Sequence, residues 1–196
     1  MRKKLITSRR EFVGAGLALL PFLKFEACAS AAETCRPTVR GAGGPFYKEG
    51  APWRAKLCGA DEPGEPLAVA GRVTAADTCA PLKGAVVDVW QADSAGRYDN
   101  ERFHLRGRVK ADDQGLYSFE TVLPGNYTDG GLERARHIHY TISAPGYAPL
   151  TTECYFEGEP RNRTDPIVRA SLVIPLKGTQ GKQRTATFDV VLAKAK

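Results

Sequence analysis

Apolar and polar residues alternate along most of the chain beyond residue 65, and a period of two is typical of half-buried β-strands. Leu67 and Val69 lie on one face of the first predicted strand. Residues 108–122 predict a β-hairpin, because the turn sequence DDQG separates two alternating runs. The other predicted strands cover residues 85–91, 137–143, 150–156 and 186–192.

Turn residues separate these strands at short, regular intervals. Twenty glycines and thirteen prolines suit short strands joined by turns, and only residues 160–172 have a weak helical pattern. The pattern therefore predicts an all-β fold, a β-sandwich with long loops. We place this domain at residues 66–196, after a Gly- and Pro-rich extended arm at residues 32–65.

Residues 1–31 have the layout of a bacterial export signal. A basic start with the pair Arg9-Arg10 is followed by an apolar stretch at 12–23 and then by small residues, which is typical of twin-arginine signals. We expect cleavage near Ala29-Ser30-Ala31 and a periplasmic or extracellular protein. The alternatives are lipidation at Cys28 and a short membrane anchor, although the apolar stretch is too short to span a bilayer.

The charge of the chain is concentrated in this signal. Six basic against two acidic residues give residues 1–31 a net charge of +4, which leaves +2 of the chain's +6 for the remainder. No basic run interleaved with aromatic residues follows, so the sequence does not indicate a nucleic-acid partner.

Four cysteines follow the signal, namely Cys35, Cys58, Cys79 and Cys154. An even number in an exported protein predicts two disulfides, and the sequence leaves all three pairings open. A thiolate metal site is the alternative, but the spacing Cys-x-x-Cys does not occur.

His137 and His139 stand two residues apart on a predicted strand, so both side chains project from the same face. Such a pair is a common metal-binding arrangement, although two hydrogen-bonded core histidines would give the same pattern. We assign no role to His104. Tyr98 and Tyr127 each follow a glycine by two residues in turn-like segments, where a tyrosine can also simply cap the core.

The amino-acid sequence around these residues resembles that of the intradiol ring-cleavage dioxygenases, the family of protocatechuate 3,4-dioxygenase and catechol 1,2-dioxygenase. Five stretches match in family order and cover most of the chain after the signal. They are "GGPFY" at 43–47, "AGRVTAADTCAPLKGAVVDVWQADSAGRY" at 70–98, "LRGRVKADDQGLYSFETVLPGNY" at 105–127, "RARHIHYTIS" at 134–143 and "LTTECYFEGE" at 150–159.

The resemblance implies a mononuclear non-haem Fe(III) centre held by Tyr98 and Tyr127 as phenolates and by His137 and His139. Phenolate is a hard anionic donor that suits a hard ferric ion, and a trivalent cation displaces the phenolic proton. The implied reaction inserts both atoms of O2 into a catechol and gives a muconate-type diacid.

The resemblance also implies catalytic roles for Tyr127 and Arg134. Tyr127 corresponds to the ligand that leaves and accepts a substrate proton, and Arg134 to a cation that stabilises charge developing on the substrate. Tyr47 and Glu153 are candidate substrate contacts. At the position of Glu153 the protocatechuate dioxygenases have a glutamine, so this chain departs from the family there. The sequence is compatible with a homo-oligomer and also with a complex that contains a different partner subunit.

Two other classes of function stay open. A non-catalytic β-sandwich binding module, similar to carboxypeptidase-regulatory-like and transthyretin-like domains, would leave the tyrosines and histidines dispersed and metal-free. A zinc hydrolase would use the histidine pair, but the sequence shows no third ligand with a general base, such as His-Glu-x-x-His.

Overall fold

The computed structural model describes residues 35–196, and the predicted export signal with Cys28 lies outside the described residues. No helix in the described part of the chain is long and apolar enough to cross a membrane. The strands are β1 (Pro66–Ala75), β2 (Val86–Trp90), β3 (Arg106–Lys110), β4 (Leu116–Val122), β5 (Tyr127–Asp129), β6 (Leu132–Arg134), β7 (His137–Ser143), β8 (Leu150–Phe156), β9 (Val173–Ile174), β10 (Leu176–Lys177), β11 (Arg184–Thr187) and β12 (Val190–Leu192).

The strands form a β-sandwich, which confirms the predicted fold class. In one five-stranded sheet β1 is central, with β4 antiparallel on one side and β11 followed by β12 parallel on the other, and β10 extends the sheet beyond β11. The other five-stranded sheet has the order β3-β2-β7-β8-β9. β5 and β6 form a separate two-stranded ribbon.

The hydrophobic core lies between the two sheets. Tyr140 of β7 is fully buried, and its ring centroid lies 6.2 Å from that of Phe119 on β4 and 5.0 Å from that of Phe188. Successive side chains of a strand point to opposite faces. Because Tyr140 points into the core, β7 turns His137 and His139 away from it.

The predicted hairpin at 108–122 is wrong, although its turn is correct. Gly115 N donates to Asp112 O at 3.0 Å and closes the turn, but β3 pairs with β2 and β4 pairs with β1. The turn therefore leads from one sheet to the other. Alternation predicts each strand separately, whereas the partner of each strand is decided by which sheet buries its apolar face.

The N-terminal arm lies where β3 and β4 diverge. Arg54 N donates to Arg108 O at 3.1 Å, and Leu57 N donates to Glu120 O at 2.9 Å. The arm thus pairs with one strand of each sheet and satisfies backbone groups that the missing hairpin would have paired.

Three smaller segments also differ from the predicted elements. The last predicted strand is divided into β11 and β12 at Phe188 and Asp189, where Asp189 Oδ1 accepts a hydrogen bond from Arg72 N at 2.8 Å. The weak helix at 160–172 is two short 3-10 helices, Pro160–Arg163 and Ala170–Leu172. The ribbon of β5 and β6 was not predicted, because three-residue strands are too short to show a period.

One disulfide joins Cys35 to Cys79 and ties the start of the described chain to the turn after β1. The other two cysteines are free thiols, with Cys154 buried in the core and Cys58 partly buried in the arm. The expectation of two disulfides is therefore wrong, because Cys154 points into the sandwich as an apolar side chain would.

Candidate metal centre

His137 and His139 begin β7 and are both buried. Cross-strand pairing places Trp90 of β2 and Glu153 of β8 on either side of His139. The indole of Trp90 stacks on the His139 ring, with centroids 4.9 Å apart and planes 5° from parallel. The imidazole orientation is therefore fixed by the sheet itself.

Four potential ligand atoms converge at one point. The Nε2 atoms of His137 and His139 are 3.0 Å apart. The hydroxyl of Tyr98 lies 3.1 Å from Nε2 of His139, and the hydroxyl of Tyr127 lies 3.4 Å from Nε2 of His137. The fold thus brings together the two histidines of β7, a tyrosine from the connection between β2 and β3, and a tyrosine at the start of β5.

Two glycines allow the loops that carry the tyrosines to touch. A Cβ atom on Gly96 would lie 2.1 Å from the carbonyl oxygen of Asn126, and one on Gly125 would lie 2.6 Å from the amide nitrogen of Gly96. Neither distance is compatible with a side chain. Gly96 and Gly125, each two residues before a tyrosine, therefore allow a close contact between the two backbone segments. This contact sets the separation of the two phenols.

The hydrogen-bond partners of the imidazoles assign their tautomers. Nδ1 of His137 donates to Ala135 O at 2.6 Å, which leaves a lone pair on Nε2. Nδ1 of His139 lies 3.3 Å from the Glu153 carboxylate, which favours a proton at Nδ1 and again a lone pair on Nε2. Two lone pairs that face each other across 3.0 Å repel, and a cation bound by both removes this repulsion. The donor set therefore fits a metal ion.

The ionisation of these groups suits the same interpretation. Burial lowers the pKa of His137 to about 4 and the pKa of His139 well below its ordinary value, so both imidazoles are neutral at neutral pH. Burial raises the pKa of Tyr98 and of Tyr127, so both phenols hold their protons until a cation displaces them. Two phenolates and two neutral imidazoles make a hard, anionic set that suits a ferric ion.

Arg134 ends β6 and is buried beside this point. Its Nε donates to Asp165 at 3.0 Å, and its Nη2 donates to Glu153 at 3.2 Å and to the hydroxyl of Tyr155 at 3.1 Å. Its Nη1 donates to the hydroxyl of Tyr127 at 3.3 Å. Burial lowers the pKa of Arg134, but Glu153 and Tyr127 raise it by more, so the guanidinium stays charged.

The two candidate substrate contacts occupy different positions. Glu153 is fully buried between Arg134 and His139. Tyr47 is 45% exposed, its hydroxyl donates to Asp88 at 3.3 Å, and its ring lies 4.8 Å from Trp90. Tyr47 therefore lies at the outer edge of the site, separated from His139 by the indole.

The contacts of Phe46 and Trp90 with the candidate ligands were not predicted from the sequence. Phe46 stacks on Tyr98 with ring centroids 4.1 Å apart, and its edge contacts Tyr127 at 5.9 Å. It belongs to the stretch "GGPFY", in which Gly44 approaches the metal side of His139 so closely that a Cβ would lie 3.4 Å from Nε2. The matching of that stretch was the signal that could have identified Phe46.

His137, His139 and Glu153 offer a second set of potential ligand atoms, which all lie within 4.8 Å of one another. This set would suit zinc in composition. Glu153, however, faces Nδ1 of His139 and is already paired with Arg134, whereas the tyrosines face Nε2 of both histidines. The set with the tyrosines is therefore the better ligand set.

Residues 42–194 match the family model described as Dioxygenase. The chain belongs to the intradiol dioxygenase family. It is 34% identical to chlorocatechol 1,2-dioxygenase of Pseudomonas sp. strain P51 over 86% of this chain and 74% of the relative. It is 38% identical to 6-chlorohydroxyquinol 1,2-dioxygenase of Cupriavidus pinatubonensis over 80% of this chain and 63% of the relative.

Solved structures agree with this assignment. The dioxygenase domain of a dioxygenase and carbohydrate-binding protein fusion from Streptomyces sp. SirexAA-E is 40% identical, with a TM-score of 0.75 over 82% of this chain and 100% of that chain. The 3-chlorocatechol 1,2-dioxygenase of Rhodococcus opacus 1CP is 27% identical, with a TM-score of 0.76 over 84% of this chain and 76% of that chain. Family membership argues against the non-catalytic binding module.

Proposed function

We propose that this protein is an Fe(III)-dependent intradiol dioxygenase that converts a catechol and O2 into a muconate-type diacid. The observation that carries the proposal is the convergence of two phenol hydroxyls and two imidazole Nε2 atoms. Each of these atoms lies 3.0–3.4 Å from at least one other atom of the set. Bound ferric iron would act as a Lewis acid that the two catechol oxygens chelate, and it would make the ring reactive towards O2.

Tyr127 is suited to accept a proton from the substrate. It lies in the short β5–β6 ribbon rather than in a main sheet, and its hydroxyl is within 3.3 Å of Nη1 of Arg134. Tyr127 would hold the metal as a phenolate, its oxygen would be the acceptor for the proton of a catechol hydroxyl, and Arg134 would hold that oxygen in place. The raised pKa of Tyr127 makes its phenolate a competent base.

Tyr98 is suited to remain a ligand throughout. Phe46 stacks on one face of its ring, and the edge of Tyr127 packs against it at 5.3 Å. Tyr127 shares the second contact and meets Phe46 only in a T-shaped contact at 5.9 Å, so the stacked contact with Phe46 is what distinguishes Tyr98. Tyr98 would therefore hold the metal throughout, whereas Tyr127 would be the tyrosine that gives way to a chelating catechol.

The curated relatives are named for catechol, chlorocatechol and hydroxyquinol, and we propose that the substrate of this chain is a catechol of this kind. The chain spans 52–74% of the length of the first four relatives. We retain Tyr47 as a candidate contact at the edge of the substrate site.

The test is turnover with a panel of catechols under O2. We expect oxygen consumption with formation of a ring-opened diacid, and loss of iron and activity in Tyr98→Phe and His139→Ala with the β fold retained. Tyr147→Phe and His104→Ala are matched controls, because Tyr147 and His104 pair with Asp77 and Glu62 away from the centre. Full turnover with retained iron in Tyr98→Phe or His139→Ala would contradict the ligand assignment.

Tyr127→Phe separates the two tyrosines. We expect this variant to keep part of its iron and to bind catechol more slowly, because the displaced ligand that accepts the proton is missing.

We further propose export by the twin-arginine route, with residues 1–31 as the signal. The disulfide between Cys35 and Cys79 supports an oxidising destination. Fractionation of cells that express the full chain tests this proposal. Replacing Arg9-Arg10 with lysines should retain the protein in the cytoplasm, and unchanged export would contradict the twin-arginine assignment.

A further inference from the structure

Glu153 is a fully buried carboxylate that is not one of the four convergent ligands. Two side chains donate hydrogen bonds to it, namely Nη2 of Arg134 at 3.2 Å and the hydroxyl of Tyr155 at a shorter distance, and the backbone of Ala42 is a further hydrogen-bond partner. Burial raises the pKa of Glu153, whereas these hydrogen bonds and the charge of Arg134 act in the opposite direction. The ion pair with Arg134 places a carboxylate acceptor directly beside the histidines.

The imidazole of His139 faces this carboxylate. Nδ1 of His139 is completely buried and makes no aligned hydrogen bond, and Glu153 Oε1 lies 3.3 Å away. The corresponding atom of His137 is already satisfied by Ala135 O at 2.6 Å. The two histidines therefore differ in their surroundings. His137 faces the carbonyl of Ala135, whereas His139 faces the Glu153 carboxylate in addition to the backbone of Ala42.

The charge of Glu153 is not cancelled locally. Arg134 is shared between Glu153 and Asp165, and both carboxylates are buried. With both carboxylates ionised, these three groups carry one net negative formal charge. A negative charge placed behind a ligand raises the basicity of that ligand and stabilises the higher oxidation state of the metal.

We propose that Glu153 is a positioning residue that accepts the Nδ1 proton of His139, strengthens this imidazole as a donor and holds the centre in its ferric state. The inference rests on the proposed function, since it assumes that His139 binds iron through Nε2. It changes the role of Glu153 from a substrate contact to a group that acts through a ligand.

The experiment compares Glu153→Gln with the wild-type protein in three measurements. These are ferric iron affinity in competition with a chelator, the visible charge-transfer spectrum and the Fe(III)/Fe(II) reduction potential. Glutamine keeps the shape and removes the charge. We expect about a 10–100-fold loss of iron affinity, a shifted charge-transfer band and a higher potential.

Glu65→Gln is the control, because Glu65 is partly buried and paired with an arginine, Arg184, and contacts none of the four ligand residues. We expect its iron affinity, band and potential to equal those of the wild type. Thermal unfolding of the metal-free proteins reports any loss of fold. If Glu153→Gln does not fold, Glu153→Asp keeps the charge at a greater distance and should shift the potential in the same direction by less.

The outcomes separate this inference from the proposed function. A wild-type protein that binds iron with a visible band, together with an unchanged band and potential in the folded Glu153 variant, overturns the role of Glu153 alone. A folded wild-type protein that binds no ferric iron overturns both.

Discussion

The contact between Gly96 and Gly125 gives a prediction about how the two tyrosines are positioned. Gly96 has φ +80°, and a Cβ added there would lie 2.1 Å from Asn126 O. The Gly96→Ala variant would therefore have both an unfavourable backbone conformation and a steric clash with the backbone. In Gly125→Ala the new Cβ would lie 2.5 Å from Ser94 O, so this variant has the steric clash. Gly84→Ala is the control, because Gly84 has φ +71° and open space around it.

The magnitudes follow from these separate costs. A left-handed conformation costs an ordinary residue about 1–2 kcal/mol, which is the expected loss in Gly84→Ala. Overpacking costs about 1–3 kcal/mol, which is the expected loss in Gly125→Ala. Gly96→Ala combines the two, so we expect its free energy of unfolding to fall by about 2–5 kcal/mol.

Denaturant unfolding of the metal-free proteins measures these losses, and the visible spectrum of the iron-loaded proteins reports the tyrosines. We expect Gly96→Ala and Gly125→Ala to weaken or shift the phenolate charge-transfer band, and Gly84→Ala to leave it unchanged. The reasoning is refuted if Gly96→Ala loses no more stability than Gly84→Ala and keeps the wild-type band.

Two further predictions concern stability. Burial raises the pKa of Asp88 to about 6 from 3.8, so the folded protein binds this proton more tightly and loses up to about 3 kcal/mol of stability as the pH rises from about 4 to 6. Asp88→Asn should be the more stable protein in denaturant unfolding at pH 8 and equal to the wild type at pH 4, and a less stable variant at pH 8 contradicts this. Removing the disulfide in Cys35→Ser with Cys79→Ser frees a loop of 44 residues and should cost about 4 kcal/mol, whereas an unchanged denaturation midpoint contradicts the tether.

Much of the fold was predictable because it is periodic. Alternation marks β1, and short runs rich in apolar and β-branched residues between turn residues mark β2, β7 and β8. The two-residue spacing places His137 and His139 on one face. The pairing of strands was not predictable from the same signal. The turn at residues 112–115 reads as a hairpin, and only the complete sandwich shows that it leads from one sheet to the other.

The candidate site divides in the same way. Local spacing reveals the histidine pair, whereas Tyr98 and Tyr127 lie in irregular segments whose meeting depends on tertiary contacts. Their shared glycine offset was visible in the sequence, but its meaning is the contact of Gly96 with the segment after Gly125. The placement of Glu153 behind His139 follows from the register of β7 on β8, which no local pattern reveals.

The most direct test of the central claim is the visible absorption spectrum of the iron-loaded protein, before and after catechol is added without oxygen. Two phenolate ligands on Fe(III) should colour the protein red-brown, and a chelating catechol should shift the band to longer wavelength. A correctly folded protein that stays colourless with ferric iron, or whose band does not respond to catechol, would contradict a ferric tyrosinate centre that is open to substrate.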